Sequence, residues 1–300
     1  MRKFIWTLLF PVASLTAFAQ KENCEDKQHP WPALSDSIKK VYQANLASAE
    51  KKYKNDSGNA EHIIWYGRRT AYLGDYKRAI DIYKRGISLF PENARFYRHL
   101  GHRYITLRCF DKAIEDLKKA TDLIRDQIDE IEADGIPNAR NMPTSTLHTN
   151  IWYHLGLAYY LKGEYRQALQ AFEKCADISD NDDMLVATLN WLNLVMRKMG
   201  RSKEASQRIG DVTTTMEIIE NRDYHDILMM YKTGDESKLI EKTQNQETLS
   251  NATAGFGLGA YYLLNGNKQK AKEIFEKVVA GNQWSSFGFI AAEVELARMK

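Results

Sequence analysis

The stretch Trp65-Tyr66-Gly67-Arg68-Arg69-Thr70-Ala71-Tyr72-Leu73-Gly74-Asp75-Tyr76-Lys77-Arg78-Ala79 sets a spacing that recurs along the chain. Gly67 precedes Ala79 by twelve positions. Tyr83 follows four later and Gly86 three after that. The same offsets link Gly101, Ala113, Leu117 and Ala120, and again Gly156, Ala168, Phe172 and Cys175. Gly67 and Gly101 are 34 residues apart. Steps of three and four put these residues on one helix face. A small residue on one helix and an alanine on the next let two backbones approach, and the bulky residue fills the space beside them. Gly74 and Gly163 fall where a left-handed cap ends the first helix, and Pro91 where the second must stop. One such pair cannot bury its apolar face alone, so neighbours must stack.

This pattern resembles the tetratricopeptide repeat, W-x-x-L-G-x-x-Y followed by A, F, A and P. The resemblance implies an all-α fold, a right-handed superhelical solenoid of antiparallel helix pairs. Six repeats are expected at about 60–93, 94–127, 149–182, 186–219, 220–251 and 252–285, the fifth degenerate. The solenoid spans 60–285. Residues 20–59 read as a linker and capping helix, the helix running from Ser35 to Tyr53, and 286–300 as a C-terminal capping helix. Residues 128–148 are an insertion. The second helix of repeat two is expected to run on through Asp129, Glu130 and Glu132 to Gly135, its acidic run a solvated helix end. Residues 138–146 then read as polar turns, either a longer surface connection or a loop folded toward the groove, where its polar side chains meet a ligand. The stretch 137–165 also resembles exported bacterial proteins of this family with no assigned function.

The N-terminus reads as a secretory signal over 1–19. Arg2 and Lys3 precede an apolar run to Phe18, and Ala17-Phe18-Ala19 predicts cleavage before Gln20. A periplasmic or secreted protein is therefore expected. Losing Arg2 and Lys3 takes the formal charge from +3 to +1, which is no footprint for nucleic acid. No later stretch is long enough to span a bilayer, so no stable membrane insertion is expected. Three cysteines make no disulfide framework. Cys175 falls in a core position, and Cys24 and Cys109 are left open between a pair and free thiols.

In the family that this pattern resembles, the first helices line a concave groove. The resemblance places Arg68, Arg95, Arg98, His99, His102, Tyr153, His154, Tyr160, Asn190 and Trp191 on it. Residues 60–110 carry ten Lys/Arg against four Asp/Glu. The groove is thus basic at its N-terminal end and aromatic further on. The expected partner is another protein or peptide, an extended or partly acidic segment with carboxylates on Arg68, Arg95 and Arg98. The carboxylate clamp of chaperone-binding relatives matches poorly, since its positions hold Ile64, Arg68, His99, Asn150 and His154. No chaperone tail is expected.

His99 and His102 have workable metal-ligand spacing, but no Cys or carboxylate motif completes a site. No calcium loop, G-x-S-x-G, phosphate-cradling loop or H-E-x-x-H is present. No catalytic residue, metal or cofactor is expected. The alternative is a small-ligand or hydrolase-like site in which Arg98, His99, His102 and His154 meet under the insertion. A closed pocket there favours it, whereas an open groove past Leu157 and Leu194 favours the peptide scaffold.

Overall fold

The computed structural model describes residues 24–244 and 249–300. The signal and its cleavage site lie outside the described residues, as does part of the junction between repeats five and six. Fourteen α-helices follow one another among the described residues. Helix α1 (Asp36–Asn55) precedes the pairs α2 (Ala60–Tyr72) and α3 (Tyr76–Leu89), then α4 (Ala94–Thr106) and α5 (Phe110–Leu123). After the insertion come α6 (Leu147–Lys162) with α7 (Tyr165–Asp177), and α8 (Asp182–Lys198) with the short α9 (Ser202–Arg208). Helices α10 (Arg222–Thr233) and α11 (Ser237–Thr243) form the fifth pair, α12 (Leu249–Leu264) and α13 (Lys268–Val279) the sixth. Helix α14 (Phe287–Arg298) ends the chain. The degenerate character expected of the fifth pair is shared by the fourth, whose second helix has only seven residues.

Local chemistry fixes the helix starts. Asn59, Asp75, Asn93, Asn181 and Asn267 each accept a backbone N–H of the first turn, satisfying donors that helix geometry leaves free. Thr146 and Thr149 close a reciprocal box at the start of α6. Packing within pairs follows the small-large rule. A Cβ on Gly67 would lie 2.4 Å from the Tyr83 ring, and Gly101, Gly156 and Gly259 meet Leu117, Phe172 and Phe275 in the same way. Each of those four partners is fully buried, a contribution of roughly 1.5–3 kcal/mol per side chain. Gly74 and Gly163 adopt φ of +93° and +91° at their helix ends. Repeat two has Arg108 there instead, at φ +60°.

Two expectations change. Helix α5 does not run on to Gly135; it stops at Leu123. Residues beyond it bring no periodic apolar face to bury, and Ile128 and Ile131 stay exposed. The chain turns instead into an extended segment, where Ile131 bridges Thr146 and the Glu132 N–H donates to Ser145 O at 3.2 Å. Nor is the acidic run a solvated helix end, because Glu132 is 5% exposed.

The open cysteine question closes on a pair: Cys24 and Cys109 are joined, across 85 positions of sequence. That bond lays an N-terminal strap over the first two repeats. Asp26 pairs with Lys77 at 2.8 Å and Glu25 with Lys84 at 3.3 Å. His29 stacks 5.2 Å from Trp284, at the other end of the chain. None of the described helices is long and apolar enough to cross a membrane.

Candidate interaction groove

The first helices of the pairs do face one another across a concave side, but that side is filled. Two groups of residues result. In the first, the insertion crosses α2 and α4. Asn150 Nδ2 donates to Glu132 Oε2 at 3.1 Å. Arg98 Nε lies 3.0 Å from the same oxygen, at ion-pair distance but without hydrogen-bond alignment. Arg98 Nη1 is 3.1 Å from His99 Nδ1. A guanidinium can only donate, so His99 Nδ1 accepts and the proton sits on Nε2. That nitrogen faces Glu132 Oε1 at 3.4 Å. Beyond Glu132, Arg68 donates to Ala133 O at 2.8 Å and Arg69 to Gly135 O at 2.7 Å. Arg95 pairs with Glu61 and reaches Glu130 at 4.0 Å.

Electrostatics follow from this crowding. Burial alone would lower Arg68, yet Tyr72 and Glu132 beside it hold it above its ordinary value. Burial, with Arg98 and Arg68 next in weight, pushes His99 well below the usual histidine range. His99 is therefore neutral, its Nε2 facing Glu132 Oε1 without hydrogen-bond alignment, and the positive charge comes from the arginines.

The second group meets α14, which packs on its own pair and also lies along α6. Phe287 sits 5.5 Å from the His154 ring and 5.3 Å from that of His102. Three residues of the other helices and of α14 itself converge on Glu295: Tyr160 OH at 3.1 Å, Lys198 Nζ at 2.6 Å and Arg298 Nη1 at 2.9 Å. Helix α14 thus covers α6 from Tyr153 to Tyr160, the stretch holding Leu157, where an open groove would have continued. Trp191 donates to Tyr153 OH at 2.8 Å and stacks 5.5 Å from Phe256 of α12. Asn190 is buried beside it, both its amide atoms without a protein partner. His154 donates Nδ1–H to Asn150 O at 2.6 Å, and burial holds it and His102 well below the ordinary pKa.

So the ten expected site residues divide. Arg68, Arg95, Arg98 and His99 hold the protein's own acidic segment. His102, Tyr153, His154, Tyr160, Asn190 and Trp191 belong to the packing with α12 and α14. The insertion does fold over the groove, but Glu132 fills the space beneath it. Arg98, His99, His102 and His154 are near one another yet split between the two groups. Among the described residues no cluster of three His, Cys, Asp or Glu could hold a metal ion.

Sequence reasoning missed Glu132, Arg69, Glu295 and Arg108. Arg108 had a signal: it stands where Gly74 and Gly163 end the neighbouring first helices. Its guanidinium lies 3.8 Å over the Trp284 ring and bonds Glu293 at 2.6 Å. A left-handed non-glycine residue costs about 1–2 kcal/mol, and these contacts, across 176 and 185 positions, offset it. Two clamp positions of that poor match, His99 and Asn150, do face one carboxylate, Glu132, and a third, Arg68, holds the carbonyl of the next residue.

A model of the tetratricopeptide repeat matches residues 149–182, and a second model of that repeat matches 253–280. BBSome complex member BBS4 of Bos taurus is 26% identical over 155 residues, which is 52% of this chain and 25% of that protein. A TPR repeat-containing protein of Methanocaldococcus jannaschii is 23% identical over 206 residues, 57% of this chain and 35% of its own length. The chain spans about a third or less of the curated relatives it matches. Among solved structures, YrrB, described as a TPR protein with an unusual peptide-binding site, shares 15% identity, with 83% of this chain and 98% of that one covered and a TM-score of 0.44. A structure of MamA shares 22% identity over 57% of this chain and 86% of its own, also with a TM-score of 0.44.

Proposed function

We propose that this chain, a tetratricopeptide-repeat protein, is an exported interaction scaffold that binds an extended acidic segment of a partner protein on the concave face of its first three repeats. The role is binding rather than catalysis. One observation carries the reading: the basic end of the groove already holds a carboxylate, Glu132, between Arg98, His99 and Asn150. Arg68 and Arg69 grip the carbonyls of residues 133 and 135 just beyond it. Any extended backbone offers those carbonyls, so the site's chemistry is not tied to this one segment. The insertion is thus an internal occupant that the partner displaces.

Charge-assisted bonds contribute about 1.5–3 kcal/mol each. Two of them with ring contacts give binding of about micromolar strength. A tethered competitor weakens it further, because its effective concentration is about millimolar. Export is supported by the leader pattern at 1–19 and by the Cys24–Cys109 bond, since disulfides persist in oxidising compartments.

The test is calorimetry with a peptide copying residues 127–136. It is titrated into the intact protein and into a variant whose residues 129–136 are replaced by a Gly-Ser linker. The linker variant is expected to bind about tenfold tighter or better. Arg95→Glu with Arg98→Glu should abolish binding in it. Binding that survives the double reversal overturns the groove reading. Export is checked apart, by whether the mature N-terminus is Gln20.

A further inference from the structure

Outside the groove, the strap and the α13–α14 loop enclose a second recess. Its walls are Pro30, Trp31, Pro32, Ala33, Tyr76, Asn282, Gln283, Trp284 and Ser285, around a volume of about 220 Å³. Every one of these residues is uncharged, in a chain that is 27% charged. Trp31 is 67% exposed and is the one exposed aromatic side chain among the described residues. Its place is fixed rather than loose. Pro30 and Pro32 restrict the backbone on either side. Pro32 and Trp31 pack so closely on Gly74 that a Cβ there would lie 2.3 and 3.0 Å from them. Cys24 anchors the strap to Cys109. A rigid, solvent-facing indole loses little freedom when something stacks on it.

From this recess we infer a binding site for a neutral saccharide, with Trp31 as the stacking platform and Asn282, Gln283 and Ser285 as the polar wall. Three features select the ligand class. A cation is disfavoured, because Arg103 lies 5.6 Å over the Tyr76 ring and Arg108 3.8 Å over that of Trp284, and no acidic residue lines the recess. An anion finds no basic lining residue, and Arg108 is already committed to Glu293. The ligand is therefore neutral. It also needs one apolar face and a polar rim. Carboxamides and a hydroxyl donate as well as accept, which suits the hydroxyls of a sugar ring. A proline-rich segment would stack too, but its prolyl units offer only carbonyl acceptors. Gln283 accepts from Ala252 N–H at 3.2 Å while its Nε2 has no protein partner. The volume is below the roughly 300–1,000 Å³ of drug-sized pockets, so the recess takes a single ring of a longer chain.

Calorimetry and saturation-transfer NMR on the full chain test this, using maltotriose, cellotriose and chitotriose as probes and a polyproline decamer as control. At least one trisaccharide should saturate below about 10 mM. Trp31→Ala should weaken it at least tenfold, and Asn282→Ala should weaken it less. Both side chains are exposed, so neither change should move the thermal midpoint by more than about 2 °C. Three results overturn the inference: no trisaccharide saturating, saccharide binding unchanged in W31A, or the decamer binding at Trp31 in place of the sugars.

Discussion

A histidine in water takes up a proton near pH 6.5, and three here do not. Burial, with arginines behind it, holds His99, His102 and His154 well below that value. Arg98 acts on all three, Arg68 and Arg95 add to His99, and Arg103 to all. The sign follows. Between the lowered native pKa and pH 6.5 the unfolded chain binds protons that the folded one refuses, so stability falls as pH falls. It is fully present above about pH 6.5 and declines below it by up to about 1.4 kcal/mol per pH unit for each histidine. Urea midpoints at pH 7.5, 6 and 5 should drop in that order, and His154→Gln should flatten the slope. A midpoint that is level or rises towards pH 5 would contradict the assignment. Much at this scale was legible. The glycines, alanines and rings of the repeat sit where their spacing put them. Glu132 was not, because nothing in a run of five acids marks the one that Arg98 and His99 will draw in from the insertion.

Among elements, α14 departs furthest from its local pattern. Phe287, Ile290, Ala291 and Val294 suit a helix that covers the last pair, and the sequence supports that much. That it would also lie along α6 depends on Glu295, one acid among several, whose partners are 97 and 135 positions away. Glu295 is 1% exposed. Replacing it with alanine leaves Lys198 and Arg298 without their shared carboxylate, a loss of about 3–5 kcal/mol when a buried pair is broken. Glu295→Gln keeps one acceptor oxygen, which can serve Tyr160 and Arg298 but not Lys198 as well, and should cost less than alanine. Hydrogen exchange over residues 287–298 should accelerate sharply in E295A and modestly in E295Q. Unchanged protection there would mean that apolar contacts alone hold the helix. The end of α5 teaches the same lesson in reverse. Its residues 125–134 suit a helix, but extended backbone lets Glu132 reach α4, and tertiary charge pairing outweighs a propensity difference of a few tenths of a kcal/mol per residue.

For the molecule as a whole, repeat periodicity describes nearest neighbours and nothing further. It predicted stacked pairs and an exposed concave side. The winding is tighter than that, so Trp191 meets Phe256 and Tyr153 meets Tyr224 across the interior. The strap completes the circuit through His29 and Trp284. Its bond to Cys109 closes a span of 85 positions, for which chain entropy alone gives roughly 4.5 kcal/mol. Reductant, or Cys24→Ser with Cys109→Ser, should therefore lower the thermal midpoint markedly. An unchanged midpoint would mean that the ion pairs and rings hold the strap unaided.

Arrays of this kind ordinarily lengthen by duplication, since each unit touches only those beside it. Arg108 reaching Glu293, and His29 lying on Trp284, remove that freedom. A further 34-residue unit inserted anywhere between them would prise both contacts apart. Duplication and deletion, the usual currency of repeat evolution, would each leave this chain with two ends that no longer meet. The number of units between these contacts is a geometric constant, and variation there is confined to residues and loops.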